Sequence, residues 1–452
     1  MALRAERFII GGDGMRTLFR NGRILDPSQD LDIVGSVMLE DGQIIDLGAD
    51  IDENDADEVY DCTGLWIAPG LVDMHAHLRE PGQERRETIR TGTQAAAAGG
   101  FTTVCCMPNT SPALDNPAII DFILDKAASP DSGGVFVQPI GALTKGQKGD
   151  QIADLAALKQ AGVAAVSDEG CPIQESNLMM RAMEFALQLN LPIMVHCEDR
   201  SLSQGGAMTE GMVSAMLGIP GIPRSAEEIM IMRNCVLALN TGCRIHVMRV
   251  TTWGGVEMIR QFKYLGAPVT CEVTPHHLTL TDEAIGEFNP TFKTTPPLRT
   301  AVDLDILQQA LSDGTIDVIA SDHSPYAPFE VHVPFEEAPN GMSTLEATVG
   351  VVLTHLTHKG VLTPLQTIEK LSTAPAQILG LAAGTLQPDR TPVAQITVID
   401  PNVEWKFDAH RTFSKGKNSP FDGWDLLGKA VLTYCGTEVY RDPFFSDERY
   451  EA

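Results

Sequence analysis

Short apolar runs and longer amphipathic stretches alternate through most of this 452-residue chain. Between residues 66 and 374, nearly every short run rich in β-branched residues is followed by a stretch with helical periodicity or by a long loop segment. The short runs cover residues 66–73, 102–107, 135–140, 164–166, 193–196, 244–250, 269–273 and 318–321. Eight strands joined in this way predict an α/β fold, a parallel (β/α)8 TIM barrel.

The two ends of the chain have a different pattern. Residues 17–61 alternate short apolar runs with turn signals such as Asn21-Gly22 and Asp41-Gly42, and the chain becomes β-like again after residue 379. These segments predict one small β-sandwich built from both chain termini, residues 17–65 and 380–452, beside a barrel of residues 66–379. Residues 1–16 are predicted to be an N-terminal lead-in.

The charge balance narrows the range of partners. Sixty acidic residues against 33 basic residues give a formal net charge of −27, which argues against nucleic acid and anionic membranes. An anionic substrate would therefore need a locally cationic site. The sequence has no uncharged apolar run of roughly 18 residues or more, and its first residues lack the apolar core of a signal peptide. Nine scattered cysteines without a CxxC pair suit a reducing compartment, so we expect a cytoplasmic protein.

Two histidines follow the first predicted strand of the barrel. His75 and His77 are two positions apart, so on an extended strand their side chains point to the same side. Two imidazoles on one face are half of a zinc site, although a surface His-x-His pair is the alternative. Arg79 follows on the same side and could bind an anion held beside the metal.

Polar groups also stand at nearly all of the other predicted strand ends. They are Asn109 after the second strand, Asp168 and Glu169 after the fourth, His196 after the fifth, Arg249 on the sixth, Glu272, His276 and His277 around the end of the seventh, and Asp322 and His323 after the eighth. Taken singly, each could be a cap, a loop carboxylate or a satisfied core histidine. Because barrel active sites lie at the C-terminal ends of the strands, the whole set predicts a hydrolytic metal site.

Several motifs extend beyond these single residues. They are residues 75–82 (HAHLREPG), 107–110 (MPNT), 114–117 (LDNP), 220–223 (PGIP), 274–277 (TPHH) and 414–421 (SKGKNSPF). Together they resemble class I dihydroorotase of the amidohydrolase superfamily, over about residues 18–440. The resemblance implies a zinc-dependent cyclic amidohydrolase that converts N-carbamoyl-L-aspartate reversibly to (S)-dihydroorotate in de novo pyrimidine biosynthesis.

The resemblance also assigns roles to individual residues. His75, His77 and Asp322 would hold the first zinc ion, and Glu169 takes the place of the family's carboxylate on the fourth strand. His196 would serve a second metal, and Asp322 would be the catalytic residue that carries the proton between water and the leaving amide nitrogen. The positions implied for substrate binding are Arg79, Asn109, Thr295, Tyr326, Asn340 and Gly341.

Some of these positions depart from the family pattern. The histidine ligand on the sixth strand is replaced by Arg249, which stays protonated and cannot bind a metal. His246 lies three residues earlier, where strand alternation points it to the other face. At the substrate positions, Thr295 replaces an asparagine and Tyr326 replaces a histidine. Glu169 replaces an aspartate, and Asn340 stands where the family usually has phenylalanine, a milder change.

Three interpretations follow from these departures. In the first, the chain is a one-zinc enzyme in which Arg249 replaces the second cation and pairs with Glu169. In the second, it is a catalytically impaired homologue that serves as a structural partner of aspartate transcarbamoylase. In the third, the substrate has shifted to a hydantoin-like or allantoin-like ring, which the motifs disfavour. The expected partners are a small anionic substrate, aspartate transcarbamoylase and further copies of this chain in a homo-oligomer.

Overall fold

The computed structural model describes residues 14–49, 51–52 and 56–451. Most of the predicted N-terminal lead-in, residues 1–16, lies outside these residues. Within the described part of the chain, no helix is long and apolar enough to cross a membrane.

Eight parallel strands form the central barrel, and neighbours in the sequence are neighbours in the sheet. The strands are Leu71–Ala76, Phe101–Cys106, Phe136–Ala142, Ala165–Ser167, Ile193–His196, Ile245–Met248, Val269–Val273 and Val318–Ile319. The sheet closes where Ala76 pairs with His323 in a parallel bridge and the His77 amide donates to the His323 carbonyl at 2.8 Å. The predicted TIM barrel is therefore confirmed.

Helices surround the barrel and cover its outer face. The helices of the barrel are Ile89–Ala98, Pro117–Ala127, Leu155–Ala161, Ser176–Gln188, Arg200–Ser203, Met212–Leu217, Ser225–Thr241, Trp253–Tyr264, Ala301–Ser312, Pro328–Val331 and Thr348–Val352. They are followed by the helices Pro364–Ile368 and Ala374–Leu379. There are π-helical turns at Leu353–Thr357 and Glu369–Thr373. The first helix shows why the sequence folds locally in this way. The Thr88 hydroxyl accepts from the Thr91 amide at 3.1 Å and caps the helix, while Ile89 and Ala95 are buried against the barrel.

A nine-stranded sheet lies beside the barrel and contains both ends of the described chain. Its strands are Arg16–Asp26, Leu31–Glu40, Gln43–Gly48, Glu58–Asp61, Trp66–Pro69, Gln395–Lys406, Asp425–Cys435, Glu438–Arg441 and Tyr450–Glu451. A small two-stranded sheet, Met208–Thr209 with Gly221–Ile222, lies in the loop after the fifth barrel strand. Aromatic packing helps to hold the large sheet, as in the stacked rings of Phe19 and Tyr60, whose centroids are 4.8 Å apart. The predicted β-structure from both termini is present.

One expected strand divides into two. The apolar run at residues 66–73 was expected to form a single barrel strand, but Trp66–Pro69 pairs with Gln395–Lys406 in the terminal sheet. The barrel strand begins only at Leu71, after Gly70, where an added Cβ would lie 2.1 Å from Thr102 Oγ1. Because both halves are buried, hydrophobicity alone could not mark the change of sheet.

Candidate metal centre

His75, His77 and Asp322 come together at the closure of the barrel. Both histidines stand at the end of the first strand, and Asp322 follows the eighth, beside the bridge between Ala76 and His323. His75 Nε2 is 3.3 Å and His77 Nε2 is 4.0 Å from Asp322 Oδ1. All three side chains are buried, and one potential ligand atom from each lies within 4.8 Å of the others. We call these three residues the trio.

Further polar groups orient the two histidines. His75 Nδ1 lies 2.5 Å from Glu272 Oε1, and the other carboxylate oxygen of Glu272 lies 3.1 Å from His246 Nε2. His77 Nδ1 lies 2.9 Å from Asn109 Oδ1. In both histidines Nδ1 donates its hydrogen bond to a side-chain oxygen, so the lone pair on Nε2 is available to bind a metal. His246 therefore supports His75 through Glu272 and does not replace the missing ligand.

The donor set fits a metal ion. His75 Nε2 is buried and has no hydrogen-bond partner, although a buried polar atom normally has one. Two imidazole nitrogens and one carboxylate oxygen match the three protein ligands of a catalytic zinc site. Burial and the nearby Arg79 guanidinium hold the pKa of His77 well below its usual value, so its imidazole is neutral. Burial also opposes protonation of His75, but the carboxylates of Glu272 and Asp322 outweigh burial and raise its pKa to about 9, so a metal ion at His75 Nε2 would have to displace a proton.

Arg249 occupies the position expected for a ligand of the second metal. Its Nη2 lies 2.6 Å from Glu169 Oε2 and its Nη1 lies 3.1 Å from Asp322 Oδ1, and Nη2 also contacts His196 Nδ1. Burial disfavours both charges of the Arg249–Glu169 pair. Their mutual attraction outweighs burial, so the pKa of Glu169 lies well below and that of Arg249 above its ordinary value. The expected ion pair is therefore present, with a permanent positive charge among Glu169, His196 and Asp322.

Glu169, and not its neighbour Asp168, faces the trio. Glu169 Oε1 is 3.9 Å from the Nε2 atoms of both His75 and His77. Asp168 instead accepts from the backbone amides of Leu143 and Thr144, each at 2.9 Å. The longer side chain of Glu169 thus presents one oxygen to the trio and the other to Arg249.

Tyr326 stacks against the arginine expected to bind the substrate. The guanidinium carbon of Arg79 is 4.8 Å from the centroid of the Tyr326 ring, and that of Arg86 is 4.7 Å from it. Arg86 is also paired with Glu330 at 2.7 Å, whereas Arg79 Nε has no hydrogen-bond partner in the part of the chain that the structure describes. Cation–π contacts of this kind hold a guanidinium in place. Tyr326 therefore contacts Arg79 directly.

The remaining expected substrate positions lie in nearby loops. Gly341 donates its amide to the Lys293 carbonyl at 2.9 Å and accepts from Asn418 Nδ2 at 2.9 Å. Its φ is 145°, and an added Cβ would lie 2.5 Å from Ser324 Cβ, so only glycine fits here. Among the described residues, the side chains of Thr295 and Asn340 form no hydrogen bond with the trio.

Three residues of the site share an unusual backbone conformation. Arg79, Arg249 and Asp322 have φ values of 60°, 51° and 48°, in the left-handed region that residues other than glycine rarely adopt. Such conformations cost on the order of 1–3 kcal/mol each and cluster at functional sites. The surrounding structure thus stabilises an unfavourable backbone conformation at these three residues, and this conformation sets the direction of their side chains.

His276 belongs to the site, although no individual role was predicted for it from the sequence. This histidine follows the seventh strand, is fully buried, and has its Nε2 atom 3.8 Å from Asp322 Oδ2. Neither of its ring nitrogens has a hydrogen-bond partner among the described residues. Its place at a strand end and its membership of the 274–277 motif were the available signals in the sequence.

The chain is similar to known proteins in sequence and in fold. A sequence model of the family described as Dihydro-orotase-like matches residues 64–254. A protein of Pelotomaculum thermopropionicum named dihydroorotase is 48% identical over 94% of this chain and 98% of the relative. One of Geobacter metallireducens, with the same name, is 44% identical over 94% of this chain and 99% of the relative.

Solved structures share the fold. The L-hydantoinase (dihydropyrimidinase) of Arthrobacter aurescens is 25% identical, with a TM-score of 0.84 over 94% of this chain and 96% of that one. The dihydropyrimidinase of Brevibacillus agri NCHU1002 is 22% identical, with a TM-score of 0.81 over 95% of each chain. At this identity the second structure bears on the fold alone.

Proposed function

Because this chain belongs to the dihydroorotase family, we propose that it carries out that family's reaction with one metal ion and with Arg249 in place of a second. It is a cyclic amidohydrolase, and its reaction is the reversible conversion of N-carbamoyl-L-aspartate to (S)-dihydroorotate. The observation that carries the one-metal proposal is the Arg249 guanidinium, which lies 2.6 Å from Glu169 and 3.1 Å from Asp322.

His75, His77 and Asp322 would hold the metal, which we propose is zinc. When bound there, zinc would supply Lewis-acid activation of water and of the amide carbonyl. Arg249 would supply a second, fixed positive charge beside the reacting groups, at a place where preorganised charge is most effective. A second metal ion would be repelled by that charge. Its expected ligands Glu169 and His196 are also already in contact with Arg249.

The other residues would bind the substrate and move the proton. Arg79 would pair with a substrate carboxylate, because it is a buried cation with an unpartnered Nε. Asp322 would carry the proton between the attacking water and the leaving amide nitrogen at Oδ2, the oxygen that Arg249 does not hold. Asn109 would act through His77, by fixing the ring that binds the metal.

Metal content and turnover test this proposal together. We expect one zinc per chain, measured by elemental analysis of protein purified without chelators, and hydrolysis of dihydroorotate by the same sample. Dialysis against a chelator should abolish turnover, and adding one equivalent of zinc should restore it. Two zinc ions per chain would contradict the one-metal proposal.

Restoring the family's histidines is a sharper version of the same test. In the double variant Arg249→His and Tyr326→His, the fixed charge is gone and an imidazole is added beside Glu169 and His196. Zinc content should rise from one towards two per chain, measured by elemental analysis, because a second set of nitrogen and oxygen ligands is then complete. The single variant Tyr326→His is the control and should keep one zinc. Unchanged zinc content in the double variant would show that Arg249 is not what excludes the second metal.

The same substitutions favour a second candidate function. Arg249 and Tyr326 both occupy positions where the family has histidines, so a catalytically impaired structural partner of aspartate transcarbamoylase is the alternative. Absence of turnover by zinc-loaded protein, with and without that transcarbamoylase, would support the structural role and exclude the enzyme.

The cellular setting is also a proposal. We place the protein in the cytoplasm, where reducing conditions suit its nine free cysteines, eight of which are buried. Its proposed partners are the small anionic substrate, aspartate transcarbamoylase and further copies of the chain in a homo-oligomer.

A further inference from the structure

His276 is the least satisfied polar side chain of the site. Its ring is fully buried, and within the described part of the chain neither nitrogen has a hydrogen-bond partner. A buried group without partners destabilises the fold, and in native proteins it usually indicates a functional role or an interaction made only in another state. The neighbouring His277 is different, because its Nδ1 contacts Thr274 Oγ1 at 2.7 Å and its Nε2 contacts the Pro296 carbonyl at 3.1 Å.

The geometry around Asp322 indicates what His276 does. Asp322 Oδ1 faces His75 Nε2 at 3.3 Å and Arg249 Nη1 at 3.1 Å. Oδ2 faces His276 Nε2 at 3.8 Å, a distance slightly beyond a hydrogen bond. Contacts in a catalytic site are often long before metal and substrate bind, and they shorten in the working complex.

We propose that His276 is a positioning residue that donates a hydrogen bond from Nε2 to Asp322 Oδ2 in the metal-loaded protein. The bond fixes the rotation of the carboxylate, so that Oδ1 stays directed at the metal and Oδ2 stays directed at the substrate side. Polar groups behind a metal ligand commonly change metal affinity or activity about 10–100-fold when they are removed. The inference rests on the proposed metal site at the trio, but it does not require that the substrate be dihydroorotate.

Two measurements on His276→Leu test the proposal. We expect zinc affinity, measured by competition with a chromogenic chelator, to fall about tenfold or more. We expect the melting temperature of the metal-free protein to stay the same or rise, because leucine removes a buried polar group that had no partner. With dihydroorotate as substrate, kcat should fall while KM changes little, since the residue acts through Asp322 and not through the substrate.

Two further variants separate positioning from a merely structural role. His276→Gln keeps an N–H donor near the Nε2 position and should recover a large part of the zinc affinity and of kcat. His277→Leu removes a histidine in which both ring nitrogens have hydrogen-bond partners. It should lower the melting temperature of the metal-free protein and leave the zinc affinity of the folded protein within about twofold of wild type.

The outcomes are distinct. Zinc affinity of His276→Leu within twofold of wild type, or a glutamine variant no better than the leucine variant, would overturn the proposal. If the wild-type protein binds zinc but does not hydrolyse dihydroorotate, the proposed function fails, while the comparison of zinc affinities still decides the role of His276.

Discussion

The Arg249→Met variant is expected to lose about 3–5 kcal/mol of unfolding free energy, because it leaves two buried carboxylates without their cation. Glu169 and Asp322 are each about 97–99% buried and both contact the guanidinium. Methionine fills much of the volume but carries no charge. Urea denaturation of the metal-free protein measures the change. Turnover of dihydroorotate by the zinc-loaded variant should fall by roughly tenfold or more, which corresponds to about 1.4 kcal/mol.

Arg299→Met is the matched control. Arg299 forms a second buried ion pair, 3.1 Å from Glu227, and contacts Thr251 and Thr209, away from the trio. Its removal should destabilise the protein by a similar amount, and zinc content should remain one per chain. A rise in activity in Arg249→Met would show that the arginine opposes the reaction and does not replace a cation.

The Asp322→Asn variant is expected to have the largest effect on catalysis. Asparagine keeps the shape of the side chain and one oxygen for Arg249, but it can neither accept the proton nor supply a negative charge to the metal. General acid–base groups contribute about 10²–10⁴-fold, so kcat should fall at least 10²-fold, with a weaker affinity for zinc in addition. Steady-state kinetics at saturating zinc separate the loss of proton transfer from the loss of metal.

Asp317→Asn is the control for this second variant. Asp317 precedes the same barrel strand at its other end, where it is half-buried, pairs with Lys263 at 2.6 Å and accepts from the Cys271 amide at 2.8 Å. Asparagine can keep the bond to the Cys271 amide, so loss of the ion pair should cost about 1–2 kcal/mol of stability and should leave kcat unchanged. An Asp322→Asn protein that retains more than a tenth of wild-type turnover would exclude Asp322 as the proton carrier.

The barrel could be predicted from the sequence because its strands are short, buried and separated by amphipathic segments. Strand alternation placed His75 and His77 on one side, and the position of strand ends brought Asp322 to them. The division of the predicted first strand at Gly70 could not be predicted, because Trp66–Pro69 and Leu71–Ala76 are both fully buried. The two segments belong to different sheets because they form hydrogen bonds with different strands. The hydrophobic pattern of the sequence indicates which segments are buried, but it does not indicate which sheet a strand joins.

The finer features of the site depend on side-chain directions that the sequence does not encode locally. Asp168 and Glu169 are adjacent carboxylates, and only the three-dimensional structure shows that Asp168 turns to the amides of Leu143 and Thr144. The cation–π contact of Arg79 with Tyr326 joins a loop after the first barrel strand to a loop after the eighth. The isolation of His276 is likewise a property of its surroundings.

The trio lies across the place where the barrel closes. His77 and Asp322 are 245 positions apart in the sequence (322 − 77). At the same closure of the barrel, the Ser321 amide donates a hydrogen bond to Asp73 Oδ1 at 3.0 Å. Bringing such distant segments together costs loop-closure entropy, so the metal site cannot exist before the first and last strands have met. A bound metal ion would therefore favour the closed ring over forms in which the last strand has separated. The proposed metal centre and the closure of the barrel therefore depend on the same chain segments, and we expect metal supply to affect folding yield as well as activity.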